Sequence, residues 1–321
     1  MSFHIPVLLN ETLQYLDLKP GQVVVDGTLG GGGHSLGIAK AIQPKGTVIG
    51  IDLDPAAVSE AQKQFDTEKL ESTVILLKGN YKNIKDIIKG AGYEKVNAIL
   101  IDIGISSYDL EGSHRGFSFQ KSEPLDMRFD PEEVNQNKDK EPFTAKFILN
   151  HYQEQELKKL FEDYSEDKFS GRIARGIVET RQTKEFESTE ELFEVIKKSL
   201  PAKFRFKAGD SARRIFQALR IVVNHELQNL ERFLPDAFEA LLPEGRLAVI
   251  SFHSLEDRIV KRFFLERAKG CICPPEFPVC RCNKKPLGKI ITKKPIIASE
   301  EELQENSRSG SAKLRVIQKI N

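Results

Sequence analysis

Four glycines stand in a row at Gly30–Gly33, inside VVVDGTLGGGGHSLGIA (Val23 to Ala39). Glycine loses more backbone freedom on ordering than any other residue, so a run of this kind requires a physical reason. It lies between an apolar strand-like segment and a helical one. In an open α/β sheet, the turn from a strand into its helix is where a ligand meets bare main chain. A loop that merely joins the two elements is the plainer reading, and the complete context of strand, glycines and helix start argues against it.

The flanking segments repeat the pattern. QVVVD (Gln22 to Asp26), TVIGID (Thr47 to Asp52), TVILL (Thr73 to Leu77) and NAILIDI (Asn97 to Ile103) read as buried strands, and SLGIAKAI, PAAVSEAQKQF and NIKDIIKG between them read as helices. Continuous apolar strands alternating with helices predict an α/β fold with a mostly parallel sheet covered on both faces. From about Gly112 to Gly209 the chain turns charged and helical, with QELKKLFEDY and TEELFEVIKKSL as amphipathic helices. Ser211 to Leu234 then reads as one long helix, with Ile215, Leu219, Val222, Val223, Leu227 and Leu230 at three- and four-residue spacing. RLAVISF is a strand, Leu255 to Ala268 a helix, and KIITKKPII and KLRVIQKI are expected to pair antiparallel at one edge. The expected organisation is a sheet domain of residues 1–112 and 209–321, split by an inserted helical, substrate-recognition domain of residues 113–208.

The chain of 321 residues has a formal net charge of +1, so any nucleic-acid surface must be local. No secretory signal or membrane-length apolar run is read in it. All four cysteines, Cys271, Cys273, Cys280 and Cys282, fall within twelve residues, which is no disulfide framework for this length and points to a reducing, cytoplasmic setting.

Two ligands compete for the glycine loop. Gly30, Gly32 and Ser35 give G-x-G-x-x-S, a weak match to a dinucleotide site. Asp26 followed after three residues by Gly30-x-Gly32 suits S-adenosylmethionine, whose ammonium and sulfonium gain from a nearby carboxylate. Asp52 at the end of the second strand can accept hydrogen bonds from both ribose hydroxyls, and Asp54 before Pro55 reads as a helix N-cap. Asp102 ends the fourth strand, with Ser106, Ser107 and Asp109 on the loop behind it; RGFSF (Arg115 to Phe119), PLDMRFD (Pro124 to Asp130) and SFHSLEDR (Ser251 to Arg258) supply further polar loops. The bland alternatives are a turn residue at Asp109, an N-cap at Ser254 with Asp257 three positions on, and core positions for Phe117 and Phe119.

In this order HIPVLLNETLQYL, DGTLGGGGHS, IDIGISS, RGFSF, PLDMRFD, RIARGIV, RIFQALRIVVNHEL, GRLAVISFHSLEDRIVKRFF and SAKLRV closely resemble the bacterial 16S ribosomal RNA (cytosine-N4) methyltransferase family, from His4 almost to the C-terminus. The resemblance implies a class I, Rossmann-like S-adenosylmethionine-dependent methyltransferase sheet with an inserted helical domain. It implies methylation of the exocyclic amine of one cytidine in the decoding region of small-subunit rRNA. Carried over by motif, the cofactor contacts are Gly32, Gly33, His34, Asp52, Asp102, Tyr81 of GNYKNI and the position of Asp109. This chain departs from the family pattern at Leu29, Gly31, Asp109, Ser307 and Gly310.

For such a reaction the protein's tasks are alignment and electrostatics. Asp102 is the first candidate to accept the amine hydrogens, with Ser106 or Ser107 sharing the role, and His253 or Asp126 is a candidate to take the proton. Phe117 or Phe119 is expected to stack on a splayed-out cytosine, and Arg115 and Arg128 to hold phosphates. KKSLPAKFRFK (Lys197 to Lys207) and KKPLGKIITKK (Lys284 to Lys294) suit an RNA backbone, although a charge run is commonly a solvated face. C-x-C-x₆-C-x-C offers four thiolates for zinc, but its spacing is tight and the resembled family is not generally a zinc enzyme, so no metal is expected. A homodimer is compatible with the sequence, which leaves the oligomeric state open. Two rivals stand beside the rRNA enzyme: a methyltransferase for proteins or small molecules, and a nonenzymatic RNA-binding factor with a vestigial pocket.

Overall fold

A computed structural model of the chain describes residues 6–106, 109–110, 112–132, 141–271, 273–274, 277, 279 and 281–320. Ser107 and Cys280, both singled out by the sequence, lie outside the described residues. The chain forms two compact units, Met1–Gly104 with Gln228–Asn321, and Ile105–Leu227.

The first unit holds α1 (Leu9–Leu16), β1 (Val23–Asp26), α2 (Gly33–Ala41), β2 (Thr47–Asp52), α3 (Pro55–Asp66), β3 (Thr73–Lys78), α4 (Ile84–Gly90) and β4 (Val96–Asp102). Its sheet is seven-stranded, and the three strands that follow the insertion complete it: β5 (Leu241–Ser251), β6 (Gly288–Ile290) and β7 (Lys313–Lys319). The order is β3-β2-β1-β4-β5-β7-β6, parallel except that β7 runs antiparallel to both β5 and β6. Side chains alternate across it. Val25, Ile49, Ile51, Ile99, Ile101 and Val249 enter one core, whereas Val24, Val48, Ala98, Leu100, Ala248 and Ile250 enter another. This period of two, apolar on both faces, is why these strands read as unbroken hydrophobic runs. Strand order reverses between β1 and β4, and β1, β2 and β4 each close on an aspartate: Asp26, Asp52 and Asp102.

The second unit is helical: α5 (Ala145–His151), α6 (Glu154–Ser165), α7 (Ser170–Arg181), α8 (Thr189–Ser199) and α9 (Ala208–Val223). Its limits differ from the expected 113–208. Ala212, Ile215, Phe216, Leu219 and Val223 of α9 are buried in one core with Leu157, Phe161, Ile173 and Leu192, so α9 belongs to the insertion. The expected single helix from Ser211 to Leu234 is two. After α9 the chain turns at Asn224 and His225, the latter at φ 52°, before α10 (Glu226–Ala240). Apolar spacing continues across the break, which is why periodicity missed it. The Asn224 side chain makes the turn: it accepts from the Phe129 N–H at 2.8 Å and donates to the carbonyls of Met127 at 2.7 Å and Arg220 at 3.0 Å. Arg220 and Glu226 close the turn with a buried bidentate pair at 2.6 and 2.8 Å.

The C-terminal edge is antiparallel as expected, but of KIITKKPII only Lys289 and Ile290 fall in a strand, β6, with a separate bridge from Ile296 to Leu314. The helix α11 (Ser254–Ala268) follows β5, and a short helix, α12 (Glu300–Glu305), intervenes between β6 and β7. Among the described residues, no helix is long and apolar enough to cross a membrane.

Asn224→Ala leaves the Phe129 N–H and the Met127 carbonyl without their partner. The expected loss is about 1–3 kcal/mol of stability, read as a lowered urea midpoint, and an unchanged midpoint would refute the turn's role.

Candidate cofactor and active site

The loop after β1 is tied to the ends of its neighbours. Asp26 is fully buried; its Oδ1 accepts from the Thr28 N–H at 3.2 Å and its Oδ2 from the Ser35 hydroxyl at 2.6 Å. The Thr28 hydroxyl accepts from the Asp102 N–H at 2.6 Å. Leu29 N–H donates to the Ile51 carbonyl at 2.8 Å, and Gly30 N–H donates to Asp52 Oδ2 at 2.7 Å. The other Asp52 oxygen accepts from the Asp54 N–H at 2.9 Å. Asp54 caps α3 through the Ala56 N–H, as its place before Pro55 predicts.

The glycines divide by need. Gly32 sits at φ 80°, and a Cβ there would lie 3.2 Å from Ala61 Cβ. On Gly33 a Cβ would lie 2.3 Å from Pro6 Cγ, so the protein's own packing forbids a side chain. Gly30 and Gly31 face open space.

Three carboxyl groups crowd the site, and two of them are driven towards their neutral forms. Burial pushes the Asp26 carboxyl up to about 7, with the Asp52 charge adding to the rise and the Ser35 and Thr28 hydrogen bonds opposing it. Asp102 is held well above the usual carboxylate range by burial first, then by the charges of Asp26 and Glu256. A quarter of the Asp102 side chain still reaches solvent, but its Oδ1 does not. The buried His34 places Nε2 3.7 Å from Asp102 Oδ2. Tyr81 opens the turn after β3 and packs on Gly27, where a Cβ would lie 3.3 Å from its Cβ and 2.7 Å from Ile101 Cγ2; its ring is edge-on to Phe233 at 5.3 Å.

His253, not Ser254, caps α11, with Glu256 as the reciprocal partner of a capping box. Its Nδ1 accepts from the Glu256 N–H at 3.4 Å, which puts the ring proton on Nε2, 2.9 Å from Glu256 Oε1. Glu256 also accepts from the Phe252 and His253 N–H groups. Neither His253 Nε2 nor Glu256 Oε1 has a hydrogen-bond partner among the described residues, so what holds the ring here is its cap on α11. Asp257, expected beside the cap, instead pairs with Arg315 at 2.6 Å. Glu256 was missed because Ser254 looked like the cap; the H-x-x-E spacing was its signal.

The candidates in the helical unit form a separate cluster. Asp109 accepts from the Ser106 hydroxyl at 2.7 Å and pairs with Arg115 at 2.8 Å. Arg115, only 9% exposed, also donates to the Arg128 and Phe129 carbonyls at 3.0 and 2.7 Å. Its guanidinium is therefore already engaged by Asp109 and two carbonyls of its own chain, where the sequence suggested a phosphate. Arg128 grips Asp126 bidentately at 2.9 and 2.8 Å, which engages both the expected phosphate binder and the expected base. Phe117 is 5% exposed and stacks on Phe129, and Phe119 lies between Phe193 and Phe216. Both rings serve the helical core, where an aromatic packs as well as it would on a base. The exposed ring is Phe206, 79% accessible, in the basic run Lys197 to Lys207.

The structure therefore brings together Asp26, Gly32, Gly33, His34, Asp52, Tyr81 and Asp102 in one unit, and Ser106, Asp109, Arg115, Asp126 and Arg128 in the other. A parallel sheet reversed at β1/β4, an antiparallel seventh strand and acids closing β1, β2 and β4 around a glycine loop define a class I S-adenosylmethionine-dependent methyltransferase fold. The chain belongs to the MraW methylase family, whose sequence profile matches residues 1–320. It is 47% identical over 318 residues to the ribosomal RNA small subunit methyltransferase H of Heliobacterium modesticaldum, covering 99% of this chain and 98% of that one. It is 49% identical to the protein of the same name from Clostridium botulinum strain Loch Maree, covering 99% of each. Among solved structures, an rRNA methylase from Streptococcus thermophilus aligns over 99% of both chains at 9% identity and a TM-score of 0.42.

The raised Asp26 value has a sign that can be checked. The folded state keeps the proton up to about pH 7, whereas the unfolded chain loses it near pH 4. The stability that this proton confers is complete below about pH 4 and is lost as pH rises through 7. Urea titrations of wild type and Asp26→Asn between pH 4 and 8 are expected to show the variant gaining on wild type as pH rises, levelling above 7. A constant difference would contradict this.

Proposed function

We propose that this chain transfers the methyl group of S-adenosylmethionine to the exocyclic N4 amine of one cytidine in the decoding region of 16S rRNA, within the small ribosomal subunit in the cytoplasm. The observation that carries this reading is the acid-lined cradle: Asp26, Asp52 and Asp102 close three strands around a loop whose Gly30 and Gly31 face open space. Such a cradle suits a ligand with cationic groups and no phosphate. The name carried by the relatives, a small-subunit ribosomal RNA methyltransferase, supports the substrate class.

Bound here, S-adenosylmethionine supplies an electrophilic methyl on a sulfonium. Asp52, which accepts from the Gly30 and Asp54 N–H groups at the end of β2, is the carboxylate placed for the ribose hydroxyls. Gly32, Gly33 and His34 present the start of α2, and Tyr81 packs beside Gly27 at the end of β1. Asp102 accepts the amine hydrogens, localises the nitrogen lone pair and offsets the positive charge that grows there. Burial and the neighbouring carboxylates hold its carboxyl above the usual range, and a cationic cofactor beside it favours the anion that accepts this proton. Ser106 and Asp109, bonded to one another, stand in the helical unit as second candidates for substrate contact.

That helical unit is the reading's RNA-recognition element. Phe206 offers an exposed face with the Lys207 ammonium 5.6 Å from its ring, and Lys203 and Arg205 share the same turn. Arg172, Arg175 and Lys198 line a cleft of about 450 Å³ between α7 and α8. Basic side chains beside an open ring match a phosphate backbone with a stackable base.

A labelled-methyl assay on naked 16S rRNA, assembling particles and mature small subunits, followed by nucleoside analysis, is expected to yield N4-methylcytidine. Label appearing only in protein or small molecules would overturn the reading. Asp102→Asn is expected to lower kcat by about a hundredfold or more while cofactor affinity moves only a few-fold; wild-type turnover would remove Asp102 from the mechanism. Phe206→Ala is expected to weaken RNA binding by about tenfold, as loss of one stacked base does, with the salt dependence unchanged. An unaltered affinity would make this run a solvated face.

A further inference from the structure

The segment between α11 and β6 has no apolar reason to hold its shape. Among its described residues from 269 to 287 none is buried, and Phe277, Val279 and Leu287 are exposed. Yet three cysteines converge there. The Sγ atoms of Cys271, Cys273 and Cys282 all lie within 4.8 Å of one another. Cys280 completes the C-x-C-x₆-C-x-C pattern in the sequence and lies outside the described residues.

The geometry discriminates among uses for these thiols. Cys282 Sγ is 3.7 Å from Cys271 Sγ, well beyond the ~2.05 Å of a disulfide. Two thiolates at ~2.3 Å from one tetrahedral zinc ion are separated by about 3.8 Å, which matches this pair, and Cys273 Sγ lies within 4.8 Å of both. The main chain also turns toward the sulfurs. Cys273 N–H donates to Cys271 Sγ at 3.4 Å, and Arg281 N–H donates to Cys273 Sγ at 3.3 Å. Backbone donors aimed at sulfur stabilise thiolate over thiol, the state a metal requires. Sulfur ligands in a compact tetrahedral arrangement select zinc or an iron–sulfur cluster over harder cations.

We propose that Cys271, Cys273 and Cys282 hold a structural zinc ion that staples this segment. The tight C-x-C spacing, read from the sequence as unfavourable, is accommodated because the two arms meet face to face: Cys271 and Cys273 come from one side of the loop and Cys282 from the other. Each thiol gives its proton to solvent on ligation. The ion anchors the root of the lysine-rich stretch Lys284 to Lys294, whose middle enters the sheet as β6. This inference stands apart from the methyl-transfer reading, because metal content is measured without substrate.

The full-length chain purified without chelators is expected to carry about one zinc per molecule, by elemental analysis. Cobalt exchanged into the site is expected to give the visible bands of tetrahedral Co²⁺ with thiolate charge transfer in the near ultraviolet. Cys271→Ser and Cys282→Ser are each expected to reduce bound zinc at least tenfold, while far-ultraviolet circular dichroism stays unchanged. Stripping zinc from the wild-type protein is expected to speed amide exchange across residues 269–287 and leave β1–β4 protected. Zinc-free protein that takes up neither zinc nor cobalt, iron and sulfide in place of zinc, or a disulfide on thiol mapping would each overturn the proposal.

Discussion

A single carboxylate, that of Asp26, determines how the ligand end of this sheet is built. It is wholly buried, and an uncompensated charge there would be strongly unfavourable. Hydrogen bonds from the Thr28 N–H and the Ser35 hydroxyl offset part of that penalty, and in doing so they fold the chain back over the end of β1. Everything downstream uses that fold. Thr28 is placed to receive the Asp102 N–H, Gly30 to reach Asp52, and α2 to begin where Gly33 packs on Pro6. The glycine loop is thus not slack main chain; it is pinned at three strand ends, and only Gly30 and Gly31 are left facing open space.

The pinning also concentrates charge of one sign. The groups that push Asp26 and Asp102 upward, beyond burial itself, are Asp52, Asp26 and Glu256, all carboxylates. A cluster that repels itself is at odds with stability, and such conflicts mark functional positions. A cation brought into the cradle relieves the repulsion. Part of its binding energy is therefore present beforehand, as strain between like charges.

What was legible in the sequence follows from this. The strands and the Asp26, Gly30–Gly33 and Asp52 set could be read because local pattern dictates them: a period of two, a turn that bars side chains, an acid at a strand end. The RGFSF and PLDMRFD segments are ambiguous in sequence for a physical reason. Arg115, Phe117, Asp126 and Arg128 have the polar and aromatic character of a site, yet they build one another's loops through the Arg115–Asp109 and Arg128–Asp126 pairs. Sequence alone does not distinguish an arginine that binds a phosphate from one that binds three partners of its own chain. The insertion's limits and the break at Asn224 were hidden in the same way, because apolar spacing runs through both α9 and α10 while the cores they enter differ.

The position of Asp102 joins stability to chemistry. A solvent-exposed carboxylate is too weak a base to hold a proton from a nitrogen whose lone pair is delocalised, and one locked in an ion pair is weaker still. Burial beside Asp26 and Glu256 raises its basicity without any cationic partner being required for that effect. The same burial destabilises the fold, and the unfavourable energy is tolerated because β4 is held in register by Leu100 opposite Asp26 and Ile250 opposite Asp102. His34 and His253 then read as parts of one arrangement. The first faces Asp102 at 3.7 Å, and the second caps the helix at the N–H of Glu256, whose side-chain charge raises the same carboxyl. Asp102 is tuned by what surrounds it, and those surroundings include the residues that end the strands.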